Sequence, residues 1–449
     1  MKQNSFSLLE YRSIYYKSYD IYGLDFAGNL VVPKKVFNDL KQFILKNNEQ
    51  TLFLKPSYKN GLGEVLQAQN YVGVIQTKDG TTIEILPKIS SLQDDKKTED
   101  NPKPKTKEDK SKEILIKMLK TLKKSPFKNF NMANLKSSKM PLLEIFIFMF
   151  LEELSKLIKK GIKSDYITQE ENLMFLKGKL KINEQIKYNH IHKERFFVEY
   201  QEFSSDRVEN RLIKTTLQYL YKKSKSNKNQ QRIREFLFVF DEIEVSHDIK
   251  TDFGKIKINR QMKDYEQVLL WCKTFLLENS FSPYKGSDVA FALLFDMNLL
   301  FESYVYDYLK NHERFDNITA QDKTHHLAYE NGAGRFRLKP DIVIKHNNET
   351  IIADTKWKIL SEEKAYHGVA QADMYQLYAY GTKYQECKNL FLIYPKDNLI
   401  EGSCYQYFEN HKQTICENKQ GLNLKVLFFD VSCEQSSDAF RLLQSEIPR

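Results

Sequence analysis

A stretch of 21 residues, LKPDIVIKHNNETIIADTKWK at positions 338–358, most strongly limits what this chain can fold into. Two apolar runs, at 342–344 and 351–352, flank the pair Asn347-Asn348. Asparagine is one of the few residues other than glycine that tolerate the left-handed backbone of a two-residue hairpin turn. The stretch therefore predicts two short antiparallel strands around a tight turn.

The position of this turn sets which residues oppose each other. A turn at Asn347-Asn348 places Val343 opposite Ile352 and Asp341 opposite Asp354. Directly opposed residues point to one face with Cβ atoms about 5 Å apart, and Lys356 shares that face because it follows Asp354 by two. One lysine does not balance two carboxylates, so a divalent metal with oxygen ligands is the natural complement. The same residues also suit an ordinary surface hairpin, and the rest of the chain must decide.

Composition narrows the class of protein. A length of 449 residues allows about three domains, and 41% hydrophobic residues indicate a globular chain. A net charge of +10 suits a polyanionic partner without establishing one. The five cysteines form no CxxC pair, which indicates free thiols and no zinc site.

We find no signal-peptide core at the start, and the most apolar run, 141–154, is too short to span a bilayer, so we expect a cytoplasmic protein that contacts no membrane.

The order of patterns along the chain predicts a multidomain α+β protein. Residues 1–90 are β-rich, and residues 91–113 form a charged linker with almost no apolar residues. Residues 114–285 form a mainly helical middle domain, and residues 286–449 form an α/β domain that contains the hairpin.

Several local elements can be predicted within these regions. Helical spacing of apolar residues predicts a helix over 34–46, and a D-G step predicts a second hairpin within 71–89. Asp206 is a candidate N-cap for a helix over 207–221. Alternating apolar and lysine positions indicate a short strand at 176–182.

A helix is predicted over 288–310, with Ser287 as its N-cap. It is apolar on most sides and should be buried. Glu302 lies within its apolar surface, so its carboxylate needs a partner or a place at an edge. This helix precedes the hairpin in sequence, so the two elements could share one site.

A second helix is predicted after the hairpin, over 369–383. It places Gln376 and Tyr380 on one face, because they are four residues apart. Strands are predicted to follow at 390–394, 405–408 and 424–431.

Four motifs in this order resemble the PD-(D/E)xK nuclease superfamily. They are Glu302 on a helix, Pro340-Asp341, Asp354-Thr355-Lys356, and Gln376 to Tyr380. Longer stretches resemble the McrC family of McrBC modification-dependent restriction systems: FDMNLLFESYV, LKPDIVI, IADTKWKIL, DMYQLYAY, NYVGVIQTKDGTTIEILPKI, LKGKL and EFSSDRVENRLIKTTL. The resemblance covers most of the chain outside the lysine-rich linkers. Lys339 departs from the arginine that many members have before the P-D pair.

The resemblance implies a PD-(D/E)xK, restriction-endonuclease-like fold for residues 286–449 and a specific activity. Members of the McrC family supply the DNA-cleaving site of their system and require Mg²⁺, for which Mn²⁺ can substitute. They bind a McrB-like hexameric AAA+ GTPase through the N-terminal region and stimulate its GTP hydrolysis. The expected substrate is double-stranded, methylated DNA. Two alternatives remain: a GTPase-activating adaptor that does not cleave, and a stand-alone repair nuclease.

The resemblance also assigns roles to individual residues. Asp341 and Asp354 are expected to bind the metal, with the carbonyl of Thr355 as a third ligand. Lys356 is expected to orient the attacking water or stabilise charge on the phosphate, because burial would have to lower its pKa strongly before it could act as a base. Glu302 is expected to bind the metal directly or through water. Gln376 and Tyr380 are expected to support the site from the following helix, although a tyrosine there also suits ordinary packing.

Overall fold

The computed structural model describes residues 5–17, 22–46, 53–89, 106–123, 125–128, 140–257, 259–277, 289–312, 315–361, 363–396, 404–408 and 422–431. Two compact units make up the chain. The first combines residues 1–139 with residues 281–449, and the second comprises residues 140–280. Among the described residues, no helix is long and apolar enough to cross a membrane.

The N-terminal part of the first unit is rich in strands, as the sequence predicts. Its elements are β1 Ser5–Leu9, β2 Ser13–Tyr16, β3 Gly23–Leu24, β4 Leu30–Val32, α1 Lys34–Lys46, β5 Leu54–Lys59, β6 Gly63–Ala68, β7 Tyr71–Thr77, β8 Thr82–Leu86 and α2 Lys107–Thr121. The helix predicted over 34–46 and the hairpin predicted within 71–89 are both confirmed, the latter as the antiparallel pair β7–β8.

The second unit combines helices with a small sheet. Its elements are α3 Leu142–Lys160, β9 Asp165–Leu173, β10 Lys179–Leu180, α4 Ile182–Asn189, β11 Phe196–Ser204, α5 Val208–Lys223, α6 Asn227–Val239, α7 Ile249–Lys255 and α8 Lys263–Leu276, with a 3₁₀ turn at Arg260–Met262. The strands pair antiparallel in the order β10-β11-β9. The strand predicted at 176–182 is reduced to β10, whereas β9 and β11 have mixed patterns that favour no element and were not predicted.

The N-cap predicted for α5 is wrong. Arg207 occupies the N-cap position, and no side chain caps the helix there. Asp206 instead accepts a hydrogen bond of 2.8 Å from Nε of Arg211. A long arginine one turn into the helix thus competes successfully for the carboxylate.

The C-terminal part of the first unit holds the predicted hairpin. Its elements are β12 Val289–Asp296, α9 Met297–His312, β13 Asn317–Ala320, β14 His326–Glu330, β15 Ala333–Arg337, β16 Ile342–His346, β17 Glu349–Thr355, a 3₁₀ segment Ala365–Gly368, α10 Gln371–Lys383, β18 Cys387–Pro395, β19 Cys404–Phe408 and β20 Asn423–Phe429. Six strands form one mixed sheet in the order β13-β16-β17-β18-β20-β19. The helix and strands predicted after the hairpin are confirmed as α10, β18, β19 and β20.

The long helix predicted over 288–310 is wrong in its first third. Residues 289–296 form strand β12, which pairs antiparallel with β7, and helix α9 begins only at Met297. A continuous apolar run is compatible with either a buried strand or a buried helix, and the free edge of β7 decides for the strand. The close approach requires Gly73, where a Cβ atom would lie 2.1 Å from the carbonyl oxygen of Leu293. Ser287, the predicted cap, lies outside the described residues.

The last residues of the charged segment predicted to be a linker, 107–113, belong to a helix. Helix α2 begins at Lys107, where Thr106 and Asp109 form a reciprocal capping box. Within the helix, Lys112 is buried and lies 2.8 Å from the carboxylate of Glu84 on β8 and 2.9 Å from that of Glu108. The pattern of alternating charges concealed this contact, because the partner of Lys112 comes from a distant strand. Residues 91–105 lie outside the described residues.

Candidate active site

The hairpin at the centre of the site has the predicted turn and register. Asn347 and Asn348 have φ angles of 48° and 62°, as a two-residue turn of this type requires. The ladder between β16 and β17 pairs Val343 with Ile352 and ends at the pair before Asp341 and Asp354. The two aspartates therefore occupy opposed positions at the open end of the hairpin.

The two aspartates have different surroundings. Oδ2 of Asp341 accepts hydrogen bonds from the backbone nitrogen of Thr355 at 2.8 Å and from its hydroxyl at 2.9 Å. Asp354 is 1% exposed. Burial raises the pKa of Asp354, and the nearby charge of Asp341 raises it further. Burial likewise raises the pKa of Asp341, against the hydrogen bonds from Thr355 and the charge of Lys356. The pair thus holds negative charge at a free-energy cost that an added cation would relieve.

Glu302 reaches the same region from helix α9. Burial raises its pKa to about 7, and the charges of Asp341 and, more weakly, Asp354 contribute to that rise. Its Oε1 accepts a hydrogen bond of 2.8 Å from Nε2 of Gln321. The backbone nitrogen of Gln321 also donates to the carbonyl of Asp341, at 2.8 Å. Gln321 thus ties the helix glutamate to the hairpin, and three carboxylates share one electrostatic environment.

Lys356 is the cation of the site. Its Nζ lies 2.6 Å from Oδ2 of Asp354 and 3.8 Å from Oδ1 of Asp373 on α10. Burial alone would lower the pKa of Lys356, but the neighbouring carboxylates, Asp354 foremost, raise it overall. The lysine is therefore held in its charged form, which suits contact with a phosphate and does not suit a role as a base.

Gln376 and Tyr380 continue the contacts of this lysine along α10. Nζ of Lys356 donates to Oε1 of Gln376 at 3.4 Å, and Nε2 of Gln376 donates to the hydroxyl of Tyr380 at 2.6 Å. The tyrosine hydroxyl in turn donates to the carbonyl of Lys339 at 3.1 Å. Tyr380 is 4% exposed. Both residues therefore lie beside the site, where they hold Lys356 and the segment before Asp341 in place.

The donor set suits a hard divalent cation that keeps open positions. Among the residues that the structure describes, no group of three or more His, Cys, Asp or Glu side chains could hold a metal by itself. Mg²⁺ in proteins commonly takes only one or two carboxylates and completes its shell with water and substrate phosphate. The two opposed aspartates, with their unfavourable negative charge, fit that demand, and the charge of Glu302 interacts with both of them.

The structure places every predicted site residue in this region and adds two residues that were not predicted, Gln321 and Asp373. Gln321 contacts Glu302, and Asp373 contacts Lys356. Glu10 is fully buried, and its Oε1 accepts a hydrogen bond of 2.7 Å from Nε1 of Trp357. No local pattern marks Gln321 or Glu10, because their roles depend on contacts between distant parts of the chain. Asp373 lies in the stretch DMYQLYAY that carries the family resemblance, but its approach to Lys356 depends on how α10 packs against the hairpin.

Comparison with known proteins gives consistent matches. A family model described as McrBC 5-methylcytosine restriction system component matches residues 66–395. The chain is 22% identical over 278 residues to the Type IV methyl-directed restriction enzyme EcoKMcrBC of Escherichia coli (strain K12), an alignment that covers 57% of this chain and 77% of that protein.

Solved structures resemble the chain as well. A chain in the refined half-complex from the tetradecameric assembly of Thermococcus gammatolerans McrB AAA+ hexamers with bound McrC has a TM-score of 0.68 at 18% identity, covering 99% of this chain and 100% of that one. A chain in the cryo-EM structure of the Thermococcus gammatolerans McrBC complex has a TM-score of 0.48 at 19% identity, covering 68% and 87%. The first match, at this low identity, shows a shared fold.

Proposed function

Since the matched family model spans residues 66–395, the chain belongs to the McrBC 5-methylcytosine restriction system component family, and we propose that it is the DNA-cleaving subunit of such a system. Its C-terminal part would carry a PD-(D/E)xK nuclease site within residues 286–449. The observation that supports this most directly is the pair of opposed aspartates, Asp341 and Asp354, with Lys356 2.6 Å from the second of them.

The residues of the site suit hydrolysis of a phosphodiester. Asp341, Asp354 and the carbonyl of Thr355 would hold Mg²⁺, or Mn²⁺ in its place, with Glu302 bound directly or through a water. When bound, the metal would activate a water and stabilise charge on the phosphate. The charged Lys356 would contact a non-bridging phosphate oxygen or orient the attacking water. Gln376 and Tyr380 would keep the lysine aimed at the phosphate through their hydrogen bonds.

The protonation states support these roles. Burial raises the pKa of Glu302 and of Asp354 to about 7, so above that pH both carboxylates are driven toward their charged forms, in which they can bind a cation. Glu302 has its pKa raised to about 7, so near neutral pH its carboxylate could also accept the proton that the attacking water loses.

The partner would be a McrB-like AAA+ GTPase hexamer, and the N-terminal region would bind it. The relative of known structure from Thermococcus gammatolerans is bound to McrB AAA+ hexamers. The five-stranded sheet β3-β4-β2-β6-β5 exposes large apolar side chains at its two edges, Phe26 in the turn between β3 and β4 and Tyr58 on β5, and exposed apolar side chains are common at partner contacts. Methylated double-stranded DNA would be the substrate, consistent with the methyl-directed relative from Escherichia coli.

A reconstituted cleavage reaction tests the nuclease proposal. The full chain, the partner GTPase, GTP, Mg²⁺ and methylated duplex DNA should give cut DNA, and a chelator should abolish cutting. Asp354→Ala should abolish cutting and leave stimulation of GTP hydrolysis intact. Asp307→Ala, on helix α9, is a matched control that should cut normally.

The other outcomes of this experiment distinguish the three possible functions of the chain. If wild-type protein stimulates GTP hydrolysis but never cuts any DNA, the chain is an adaptor and the nuclease proposal fails. If it cuts DNA equally well without GTPase or methylation, it is a stand-alone nuclease. If Asp354→Ala cuts at the wild-type rate, the site is wrongly assigned.

The docking proposal needs point variants in place of a truncation. Removing residues 1–90 would also remove β7, on which β12 depends. Phe26→Ser and Tyr58→Ser should weaken stimulation of GTP hydrolysis, with Lys55→Ser on the same sheet as a control. Unchanged stimulation in both variants would contradict docking through either edge of this sheet.

A further inference from the structure

A hairpin that the nuclease chemistry does not use projects next to the site. Strands β14 and β15, residues 326–337, form a two-stranded sheet of their own, joined at Asn331-Gly332 with φ angles of 49° and 80°. We refer to them as the arm. An isolated two-stranded hairpin has little stability of its own in water. The folded state of the arm therefore depends on how its two ends are held and on what its exposed surface binds.

The arm exposes large apolar side chains, which are unusual on a hairpin that only contacts water. Leu327, Tyr329 and Phe336 are 44%, 65% and 77% exposed. Phe336 has a φ of 51°, in the left-handed region that bulky residues rarely adopt. An aromatic side chain held outward at a strained position is a feature found at binding surfaces.

The charge on and around the arm is mainly positive. Arg335 and Arg337 on the arm are exposed, as are Lys323 and Lys339 at its ends. Glu330 is the only exposed carboxylate in the arm, and it pairs with Arg335 at 2.8 Å. Both members of that pair are more than half exposed, so the pair is weak and can give way to a phosphate.

Both ends of the arm are held by residues of the candidate active site. Before it, Gln321 donates to Glu302 and to the carbonyl of Asp341. After it, the carbonyl of Lys339 accepts from Tyr380, and Leu338 donates to the carbonyl of His325 at 2.9 Å. Whatever the arm binds is therefore held at a fixed position relative to the two aspartates.

From these features we infer that the arm is a DNA-binding element that enters a groove of the duplex beside the scissile phosphate. The inference rests on the proposed nuclease function. A two-stranded ribbon fits the major groove of DNA, the arginines suit phosphates, and Tyr329 and Phe336 suit contact with sugars or bases. A strand of five residues is about 17 Å long, so the arm reaches about five base pairs along the duplex.

Binding measurements on uncut DNA test the inference. The full chain with Asp354→Ala is titrated onto a fluorescent 30-base-pair duplex (a length chosen for the assay) over a range of salt concentrations. Adding Arg335→Ala and Arg337→Ala together should weaken binding roughly tenfold at low salt. The slope of log affinity against log salt should become shallower by about 1.8, because two phosphate contacts are lost.

The aromatic contribution has a different signature. Phe336→Asn keeps a residue that tolerates the left-handed backbone. It should weaken binding by about tenfold, as the loss of one stacked or wedged ring does, and should leave the salt slope unchanged. Arg234→Ala with Arg260→Ala, two exposed arginines elsewhere in the chain, removes the same charge and should change affinity by less than about twofold.

The outcomes separate this inference from the nuclease proposal. If the arm variants bind DNA like the parent, or no more weakly than the control, the arm is not a DNA element even if the wild type cuts DNA. If they bind DNA normally but lose stimulation of GTP hydrolysis, the arm contacts a protein and the inference fails. If the arm variants lose DNA affinity while the wild type never cuts, the arm is still a DNA-binding element, but the nuclease proposal fails and the arm's place beside a scissile phosphate fails with it.

Discussion

Two regions of the molecule bury a carboxylate and treat it in opposite ways. Glu144 on α3 in the second unit is 5% exposed and accepts hydrogen bonds from Ser224, from the backbone nitrogens of Lys225 and Ser226, and from Asn229. Asp354 in the first unit is 1% exposed, faces Asp341, and has its pKa raised by burial and by that neighbour.

The difference shows what each carboxylate contributes. The donors around Glu144 come from the segment that begins helix α6, so its charge satisfies orphan backbone groups and complements the helix dipole. The aspartate pair has fewer donors, since Asp341 accepts hydrogen bonds from Thr355 and Asp354 has the Lys356 ammonium at 2.6 Å. Burial outweighs these contacts and raises the pKa of both aspartates. A buried charge with complete hydrogen bonding stabilises a fold, whereas a buried charge without it stores free energy that binding can recover.

The largest effect should come from removing the satisfied carboxylate. Glu144→Ala would leave the hydroxyl of Ser224 and the backbone nitrogen of Ser226 without the carboxylate that accepts from them, and should lower the free energy of unfolding by roughly 3 kcal/mol. Denaturant unfolding followed by circular dichroism measures this. Glu235→Ala, exposed on α6, is the control and should change stability by less than about 0.5 kcal/mol. Equal losses of stability in the two variants would show that the hydrogen bonds to Glu144 do not stabilise the fold.

Glu10 provides an intermediate case, because it is fully buried yet hydrogen-bonded to Trp357 and Lys88. Burial raises its pKa to about 7, above the ordinary value of 4.5. The folded state therefore holds this proton more tightly than the unfolded state, and its contribution to stability is present below pH 4.5 and is lost as the pH rises through 7.

The matching experiment compares Glu10→Gln with wild type between pH 4 and pH 8. The variant lacks this proton equilibrium, so its stability relative to wild type should rise by roughly 2–3 kcal/mol across that range. Glu64→Gln, at a partly exposed ion pair, should show no such trend. Parallel pH profiles for wild type and Glu10→Gln would refute the assignment of a raised pKa to this residue.

Gln376 tests the support of the charged lysine. Gln376→Ala removes the contacts with Lys356 and Tyr380, and should lower the cleavage rate by roughly tenfold without changing the free energy of unfolding by more than about 1 kcal/mol. Gln371→Ala at the start of the same helix is the control. A cleavage rate at the wild-type level would reduce Gln376 to a packing residue.

The smallest effect concerns the stability of the aspartate pair itself. In chelator at pH 8, Asp354→Asn should raise the free energy of unfolding by roughly 1 kcal/mol, because it removes one of two opposed charges. Mg²⁺ at ten times its dissociation constant should stabilise wild type by about 1.4 kcal/mol and the variant much less. If Mg²⁺ stabilises both proteins equally, the cation does not bind at the aspartate pair.

Much of the fold could be predicted because its signals are local. The Asn347-Asn348 turn, the register it imposes and the period of α1 depend only on neighbouring residues, and all three are confirmed. The errors occurred where a local pattern allows two outcomes. The apolar run at 289–296 became a strand because β7 offered it an edge, and α2 formed within a charged segment because Glu84 offered Lys112 a partner.

The opposition of two aspartates beside a lysine follows from local sequence alone, because a two-residue turn leaves the pairing no freedom. The surroundings of these three residues depend on the tertiary structure. Helix α9 delivers Glu302, α10 delivers Gln376 and Tyr380, and Gln321 ties the base of the arm to both Glu302 and the hairpin. These contacts join residues far apart in sequence, and burial then sets the protonation of the carboxylates, which no pattern of neighbouring residues can encode.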